Sequence, residues 1–205
     1  FVSLSNNAPF TGINFDGLET STKILESGKW YHIAAVKNGT TRTLFINGIP
    51  FALSGTAITT ATTADWLRIG LHQLFSPKYF EGTIDEVRIW NVARTEAEIK
   101  ANMFATLSPN LNNLVCYYNF DNGKPGVSNT GLTTLANQTN TSNTGTLNNF
   151  ALTGATSNWV ESYAMIVPTI KPETNKTGNS FTANWDAPTL ISLQNVNNYL
   201  LDVST

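Results

Sequence analysis

Two Asn-Gly dipeptides place the strongest local constraint on how this chain folds. The β-rich run 29–37 is followed by Asn38-Gly39, then by a second β-rich run, 41–46, and then by Asn47-Gly48. Asn and Gly tolerate the positive φ that a type I′ turn requires, so an Asn-Gly pair between two such runs predicts a tight hairpin. Residues 29–53 are therefore predicted to form an antiparallel meander.

The composition extends this β prediction to the rest of the chain. Charged residues make up 13% of the sequence, about half the usual share. Thr, which favours strands, and Asn, which favours turns, are abundant. One short helix is predicted, because Thr95 and Glu98 have the spacing of a capping box and Ile99 and Met103 share a helical face. We expect this helix to end near Ala105.

Charge, hydropathy and cysteine content argue against several classes of partner and chemistry. The net charge is -2 and no basic stripe is present, so no nucleic-acid partner is expected. No apolar run approaches the ~20 residues that span a bilayer, so no membrane insertion is expected. The single cysteine, Cys116, lies in an apolar run and is predicted to be a small buried hydrophobe. The chain begins at Phe1 in mid-pattern, and we interpret it as a piece of a longer protein.

Four motifs, taken in order, resemble one known family. They are Trp30-Tyr31-His32-Ile33-Ala34, Leu44-Phe45-Ile46-Asn47-Gly48, Gly82-Thr83-Ile84-Asp85-Glu86-Val87-Arg88-Ile89-Trp90-Asn91, and the helix at 95–104. Their order and spacing resemble the bacterial secreted branch of laminin-G-like, concanavalin-A-like jelly-roll domains. The resemblance covers residues 1–165 and implies an antiparallel jelly-roll β-sandwich with one short α-helix in a secreted or cell-surface protein. It does not fix the function, because this fold hosts lectins, adhesion modules and some hydrolases.

Two further segments bear on the domain organisation. A Tyr-x-Phe-Asp-type motif usually opens this family, but the similar piece 117–123 follows the helix here. Either the first strands lie outside this chain, or the late segment takes their place. Residues 166–205 resemble the opening strands of a fibronectin type III domain, with Trp185 and Tyr199 as core aromatics. The fold class is therefore all-β, a jelly roll followed by a partial immunoglobulin-like sandwich.

Aromatic residues around the later strands are candidates for a sugar-binding platform. Aromatic faces stack on the C–H groups of sugars, while nearby amides and carboxylates bind the hydroxyls. The candidates are Trp66, Phe75, Tyr79, Phe80 and Trp90. The alternative for Trp66 and Phe80 is packing in the core, where large aromatics usually lie. Trp90 is expected on the strand face opposite Val87 and Ile89, where it would cover the second sheet or the helix.

Asp85, Asn119 and Asp121 are the candidate metal ligands, and calcium is the expected ion. The resemblance implies calcium, because laminin-G-like modules often hold one and Asp85 and Asp121 lie in segments similar to its ligand-bearing motifs. Calcium takes six to eight oxygen ligands from carboxylates, amides and carbonyls. The alternative is that Asp85 is a structural carboxylate bound to a neighbouring turn. His32 and His72 are isolated, so no transition-metal site is indicated.

Hydrolysis is the weakest functional prediction. A glycosidase needs two carboxyl groups roughly 5 to 9 Å apart, but Asp85 and Glu86 are adjacent and would face opposite ways in a strand. Glu81 could share a face with Asp85, although Gly82 lies between them. The sequence therefore predicts a non-catalytic extracellular binding or adhesion module whose partner is a glycan or a surface protein. The alternative is a structural or assembly module of a multidomain adhesin or fibre, in contact with the neighbouring domains of the longer chain.

Overall fold

Strands and one short helix make up the parts of the chain that the computed structural model describes. These parts are residues 2–5, 12–16, 18–20, 25–57, 67–72, 78–140, 142–153, 157–162, 164, 169–174 and 182–186. By spatial contact the chain divides into two units, Phe1–Ala164 and Met165–Thr205. The domain bounds 1–165 and 166–205 stay a prediction, since this division does not identify the family of either unit.

Fifteen strands and one helix are described. They are β1 (Val2–Ser5), β2 (Gly12–Phe15), β3 (Leu18–Thr20), β4 (Ile33–Asn38), β5 (Thr41–Ile46), β6 (Ile49–Phe51), β7 (Leu53–Gly55), β8 (Leu71–His72), β9 (Lys78–Tyr79), β10 (Val87–Trp90), α1 (Glu96–Asn102), β11 (Leu114–Tyr118), β12 (Thr134–Leu135), β13 (Gly145–Thr146), β14 (Thr169–Thr174) and β15 (Thr182–Asp186). Every strand pair between described residues is antiparallel. The predicted all-β, antiparallel fold class is confirmed.

Two sheets of the first unit face each other across a shared core. One has the strand order β1-β2-β3-β7, and the other has the order β4-β5-β6. Ile13 on β2 packs with Leu44 and Ile46 on β5 in one buried cluster. The layers are also joined at their edge, where the Nε and Nη2 atoms of Arg42 each lie 2.7 Å from Asp16 Oδ2. These contacts form the face-to-face packing of a β-sandwich.

The second hairpin of the meander has the predicted turn. Asn47 and Gly48 lie between the paired residues Ile46 and Ile49, and their φ angles are 50° and 75°. Two left-handed residues in a two-residue loop define a type I′ turn. The Asn47 side chain fixes this turn further, because its Oδ1 accepts the His32 amide at 2.9 Å.

The first hairpin turns one residue later than predicted. Asn38 pairs with Thr41 and ends β4, so Gly39 and Thr40 form the two-residue loop. Only Gly39 in this loop is left-handed, with φ of 58°. A left-handed glycine at the first loop position is typical of a type II′ turn. The prediction of a type I′ turn centred on Asn38-Gly39 is therefore wrong, although the hairpin itself is confirmed.

Helix α1 begins with the predicted capping box. Thr95 Oγ1 accepts the Glu98 amide at 3.3 Å, and Glu98 Oε2 accepts the Thr95 amide at 2.8 Å. The helix ends at Asn102, three residues before the predicted end. It packs on the type I′ turn: a Cβ added to Gly48 would lie 2.8 Å from Lys100 Cγ. No described helix is long and apolar enough to cross a membrane.

Strand β10 pairs with β11, which follows the helix. This places the late Tyr-x-Phe-Asp-type segment beside the Asp85–Trp90 motif. Whether it takes the place of the family's first strands, or those strands lie outside this chain, stays a prediction. Strand β10 begins only at Val87, because Glu86 just before it has φ of 55° and departs from extended backbone. Within it, Val87 and Ile89 share one face and Trp90 packs on the other, as predicted.

A second buried cluster is built mainly from residues that follow the helix. Its buried members are Cys116, Tyr118, Leu135 and Trp159, and Val87 and Ile89 pack against it. Cys116 is a buried free thiol, as predicted. A Cβ on Gly123 would lie 2.2 Å from the Trp159 ring, so only glycine lets the chain cross this indole. The segment after β11 therefore supplies much of the core that covers β10.

In the second unit the structure describes one antiparallel strand pair. Strand β14 pairs with β15, and Trp185 lies opposite Ile170 in the register. This agrees with the strand predicted around Trp185. The other predicted strand of this unit, with Tyr199, lies outside the described residues.

Candidate functional site

The hairpin of β8 and β9 presents two adjacent aromatic residues at the surface. Leu71 pairs with Tyr79, and the Phe80 amide donates to the Gly70 carbonyl at 2.9 Å, which holds the two strands together. Tyr79 is 66% exposed and Phe80 is 41% exposed. Large aromatic side chains are usually buried, so two adjacent ones at the surface are a noteworthy feature of this fold.

Phe80 lies close to a glycine two residues further along the chain. A Cβ added to Gly82 would lie 2.7 Å from Phe80 Cε1 and 2.8 Å from Cζ. A larger residue at position 82 would therefore displace the Phe80 ring. The part of Phe80 that stays exposed is open to stacking on a planar or C–H-rich ligand.

Trp90 occupies a different environment. The Arg94 guanidinium lies 4.2 Å from the centroid of the indole ring, in a cation–π contact. Trp90 also packs against the cluster of Leu107, Leu114 and Tyr117. Its ring is therefore engaged with the protein, and the structure does not bring it together with Tyr79 and Phe80. The other two aromatic candidates, Trp66 and Phe75, lie outside the described residues.

Asp85 lies where the chain enters β10, and its carboxylate is partly buried. Its Oδ1 accepts the Glu86 amide at 2.8 Å, and its Oδ2 accepts the Ser162 hydroxyl. Burial raises the pKa of Asp85 above its ordinary value, and the negative charges of Glu86 and Asp121 raise it further. Hydrogen bonds from Ser162 and Glu86 oppose this shift without cancelling it. A cation next to Asp85 would offset the cost of burying this charge.

Asn119 and Asp121 lie just after β11, and the charge of Asp121 acts on Asp85. Asn119 Nδ2 donates to Asp121 Oδ2 at 2.7 Å, and Asn119 Oδ1 accepts from Gln138 Nε2 at 3.0 Å. All three predicted metal residues thus lie toward one end of the β10–β11 pair. The described residues contain no group of three or more His, Cys, Asp or Glu side chains placed to hold a metal. Calcium, however, also takes amide and carbonyl oxygens, so two carboxylates and one amide fit part of its ligand set.

Glu86 is the centre of a buried polar network that the sequence did not predict. Arg88 Nη2 lies 2.5 Å from Glu86 Oε2, and the Tyr117 hydroxyl donates to the same oxygen at 2.8 Å. Arg88 also donates to the carbonyls of Asn102 and Ala105 at 2.7 and 2.6 Å. Burial and the Glu86 carboxylate raise the pKa of Tyr117. The network joins β10 and β11 to the end of α1.

This network bears directly on the hydrolase alternative. Both carboxylate oxygens of Glu86 accept from Tyr117, and one also pairs with Arg88. Both oxygens of Glu86 are thus bound by donors of the protein itself, which accounts for Glu86 as a structural carboxylate. The third carboxylate of the hydrolase alternative, Glu81, is exposed.

His32 lies on the side of the first sandwich that approaches Arg88. Burial lowers the pKa of His32, and the positive charge of Arg88 lowers it further. The Nδ1 atom of His32 is buried without a hydrogen-bond partner among the described residues. The side chain of the other histidine, His72, lies outside what the structure describes.

Comparison with known proteins agrees with this fold. Residues 5–100 match the model of the concanavalin A-like lectin/glucanases superfamily. The chain also matches the crystal structure of a "putative carbohydrate binding protein" from Bacteroides ovatus, at 25% sequence identity and a TM-score of 0.52. The match covers 68% of this chain and 40% of that protein, so the chain spans less than half of its length. No curated protein matches the sequence.

Proposed function

We propose that this chain is a non-catalytic carbohydrate-binding module and that its glycan stacks on Tyr79 and Phe80. The observation that carries the proposal is the exposure of the two adjacent aromatic residues Tyr79 and Phe80 on the β8–β9 hairpin, where Gly82 leaves room for the Phe80 ring. The concanavalin A-like match and the Bacteroides ovatus structure favour carbohydrate as the ligand. Aromatic stacking contributes about 0.5–1.5 kcal/mol beyond the area it buries. Two such residues supply a useful part of the affinity of a weak glycan ligand.

Calcium is part of the proposal as a structural ion. Asp85, Asn119 and Asp121 would hold it, with backbone carbonyls and water completing its oxygen ligands. When bound, the ion would neutralise the two aspartates and fix the loop after β11 against the start of β10. The raised pKa of Asp85 supports this, because a partly buried carboxylate near a second carboxylate favours a nearby cation.

The parent protein is proposed to be a secreted or cell-surface adhesion protein. The low charged fraction of 13% supports this, since Asn- and Thr-rich surfaces resemble those of extracellular bacterial proteins. The second unit, with its β14–β15 pair, is proposed to be the first part of a fibronectin type III spacer. In this arrangement the spacer would carry the binding module at a distance from neighbouring domains.

The test is glycan-array binding by the whole chain, with calcium and with a chelator, followed by titration of the best ligand. Tyr79→Ala and Phe80→Ala are each expected to weaken binding roughly two- to tenfold, the equivalent of one stacking contact. Phe104→Ala is the matched control, because Phe104 is 50% exposed and lies after α1 rather than on the hairpin. The chelator and the Asp121→Asn substitution are each expected to weaken glycan binding.

The outcomes separate the alternatives. Equal binding by wild type and both hairpin variants would contradict the stacking role. Glycan binding that is unchanged by the chelator would contradict the calcium part of the proposal. Absence of binding to every glycan would favour the structural or assembly alternative. Release of reducing sugar from a bound glycan would overturn the non-catalytic part of the proposal.

A further inference from the structure

Three Asn-Gly pairs occur in the described residues, at 38–39, 47–48 and 122–123. Asn-Gly is the dipeptide most open to spontaneous deamidation, because glycine leaves its backbone nitrogen accessible. That nitrogen loses its proton and attacks the Asn Cγ, the bond from Cγ to the side-chain nitrogen breaks, and ammonia leaves. Water then opens the cyclic imide at either carbonyl, giving aspartate or isoaspartate. The reaction consumes one water, releases one ammonia, and needs no oxidant or reductant.

The pair at 47–48 is locked in place. Asn47 Oδ1 accepts the His32 amide at 2.9 Å, and the Asn47 amide donates to the His32 carbonyl at 2.8 Å. Gly48 is buried under α1, with Lys100 Cγ 2.8 Å from the position a Cβ would take. To form the imide, this turn would have to break the hydrogen bonds to His32 and separate from the helix.

The pair at 122–123 is also restrained. Asn122 Oδ1 accepts the Ala136 amide at 3.3 Å. Gly123 lies directly on the Trp159 ring, with a Cβ position only 2.2 Å from the indole. The Gly123 backbone therefore cannot rotate toward Asn122 without lifting off a buried tryptophan.

The pair at 38–39 has neither restraint. Asn38 is exposed, and its side chain makes no hydrogen bond to any described residue. Gly39 is the left-handed loop residue, and no atom lies within 4 Å of the position its Cβ would take. We propose that Asn38 is the deamidation site of this protein and that the fold protects Asn47 and Asn122.

The modification would change the hairpin in two ways. Either product adds a negative charge to a chain whose net charge is -2. Isoaspartate also lengthens the backbone by one carbon next to the two-residue turn, which shifts the register on which the β4–β5 pairing depends. The modified tip would therefore be looser than the original one.

The test is peptide mapping by mass spectrometry after incubating the whole chain, made in a bacterium, at mildly alkaline pH. All three sites are followed in the same sample, once folded and once in denaturant. In denaturant the three sites should react at similar rates. In the folded chain Asn38 should stay within about threefold of its unfolded rate, whereas Asn47 and Asn122 should slow by about tenfold or more, since they must wait for local opening.

Asn38→Ser is the control variant, because serine keeps the hairpin polar but cannot form the imide. It should remove the acidic species that otherwise accumulates on ion exchange. The proposal is overturned if Asn38 remains intact in the folded chain while reacting in denaturant. It is equally overturned if Asn47 or Asn122 reacts as fast as Asn38 in the folded chain.

Discussion

Replacing Arg88 with methionine tests the buried network that fastens α1 to the β10–β11 pair. The side chains of Arg88 and Glu86 are only 10% and 13% exposed. Methionine keeps much of the apolar stem but removes the ion pair to Glu86 and the hydrogen bonds to the carbonyls of Asn102, at the end of α1, and of Ala105, three residues further on. The variant thus removes the positive charge that faces a buried carboxylate.

Removing one partner of a buried pair costs about 3–5 kcal/mol, because the other charge stays buried without compensation. Here Glu86 keeps the Tyr117 hydroxyl, which donates at 2.8 Å to Oε2 and 3.0 Å to Oε1. We therefore expect a loss near the lower end, about 3 kcal/mol in the free energy of unfolding. This is a large share of the ~5–15 kcal/mol by which domains are stable.

Urea unfolding followed by tryptophan fluorescence measures this loss. Arg94→Met is the matched control: it removes an ion pair to the partly exposed Glu98 and the cation–π contact with Trp90, and it should lose clearly less stability than Arg88→Met. The double variant Glu86→Gln, Arg88→Met should lose less than Arg88→Met alone, since no charge stays buried. Equal losses for Arg88→Met and Arg94→Met would refute the view that the network stabilises the fold.

Two further predictions concern the first sandwich. Gly48→Ala should lower the free energy of unfolding by about 1–2 kcal/mol for the left-handed backbone, and by more because of the clash with Lys100. Gly39→Ala has open space around it and should lose only the backbone part. Equal losses for the two variants in urea unfolding would contradict the packing of the helix on the turn. The pKa of His32 is lowered in the folded state, so the unfolded chain takes up a proton on His32 at higher pH than the folded chain does. The contribution of neutral His32 to stability should therefore be complete above pH ~6.5 and decline as the pH falls below that value. His32→Gln should flatten that decline in urea midpoints measured across this range, and an unchanged pH profile would assign the decline to other groups.

Local signals predicted local structure well. The Asn47-Gly48 turn and the Thr95–Glu98 capping box depend on residues within three positions of each other, and both are confirmed. The error at the first hairpin is one residue, because Gly39-Thr40 satisfies a two-residue turn as well as Asn38-Gly39 does. Choosing between them depends on strand register, which a turn dipeptide alone does not determine.

The features that the sequence did not reveal depend on contacts between distant segments. Glu86, Arg88 and Tyr117 meet only because β10 pairs with β11 across the helix. An Arg two residues after a Glu was the available signal, but it is too common to indicate a network. The position of the Phe80 ring depends on the small size of Gly82, which the sequence showed only as a break between Glu81 and Asp85. The roles of Tyr79, Phe80, Asp85, Asn119 and Asp121 in binding stay predictions.

The pairing of β10 with β11 also has a consequence for how this module is handled and made. The superfamily match ends at residue 100, yet the strand that covers Val87 and Ile89 comes after it. A fragment cut at that limit would expose both side chains on an unpaired strand edge, which promotes aggregation. For the same reason, a chain emerging from a ribosome cannot complete its second core until Trp159 has appeared.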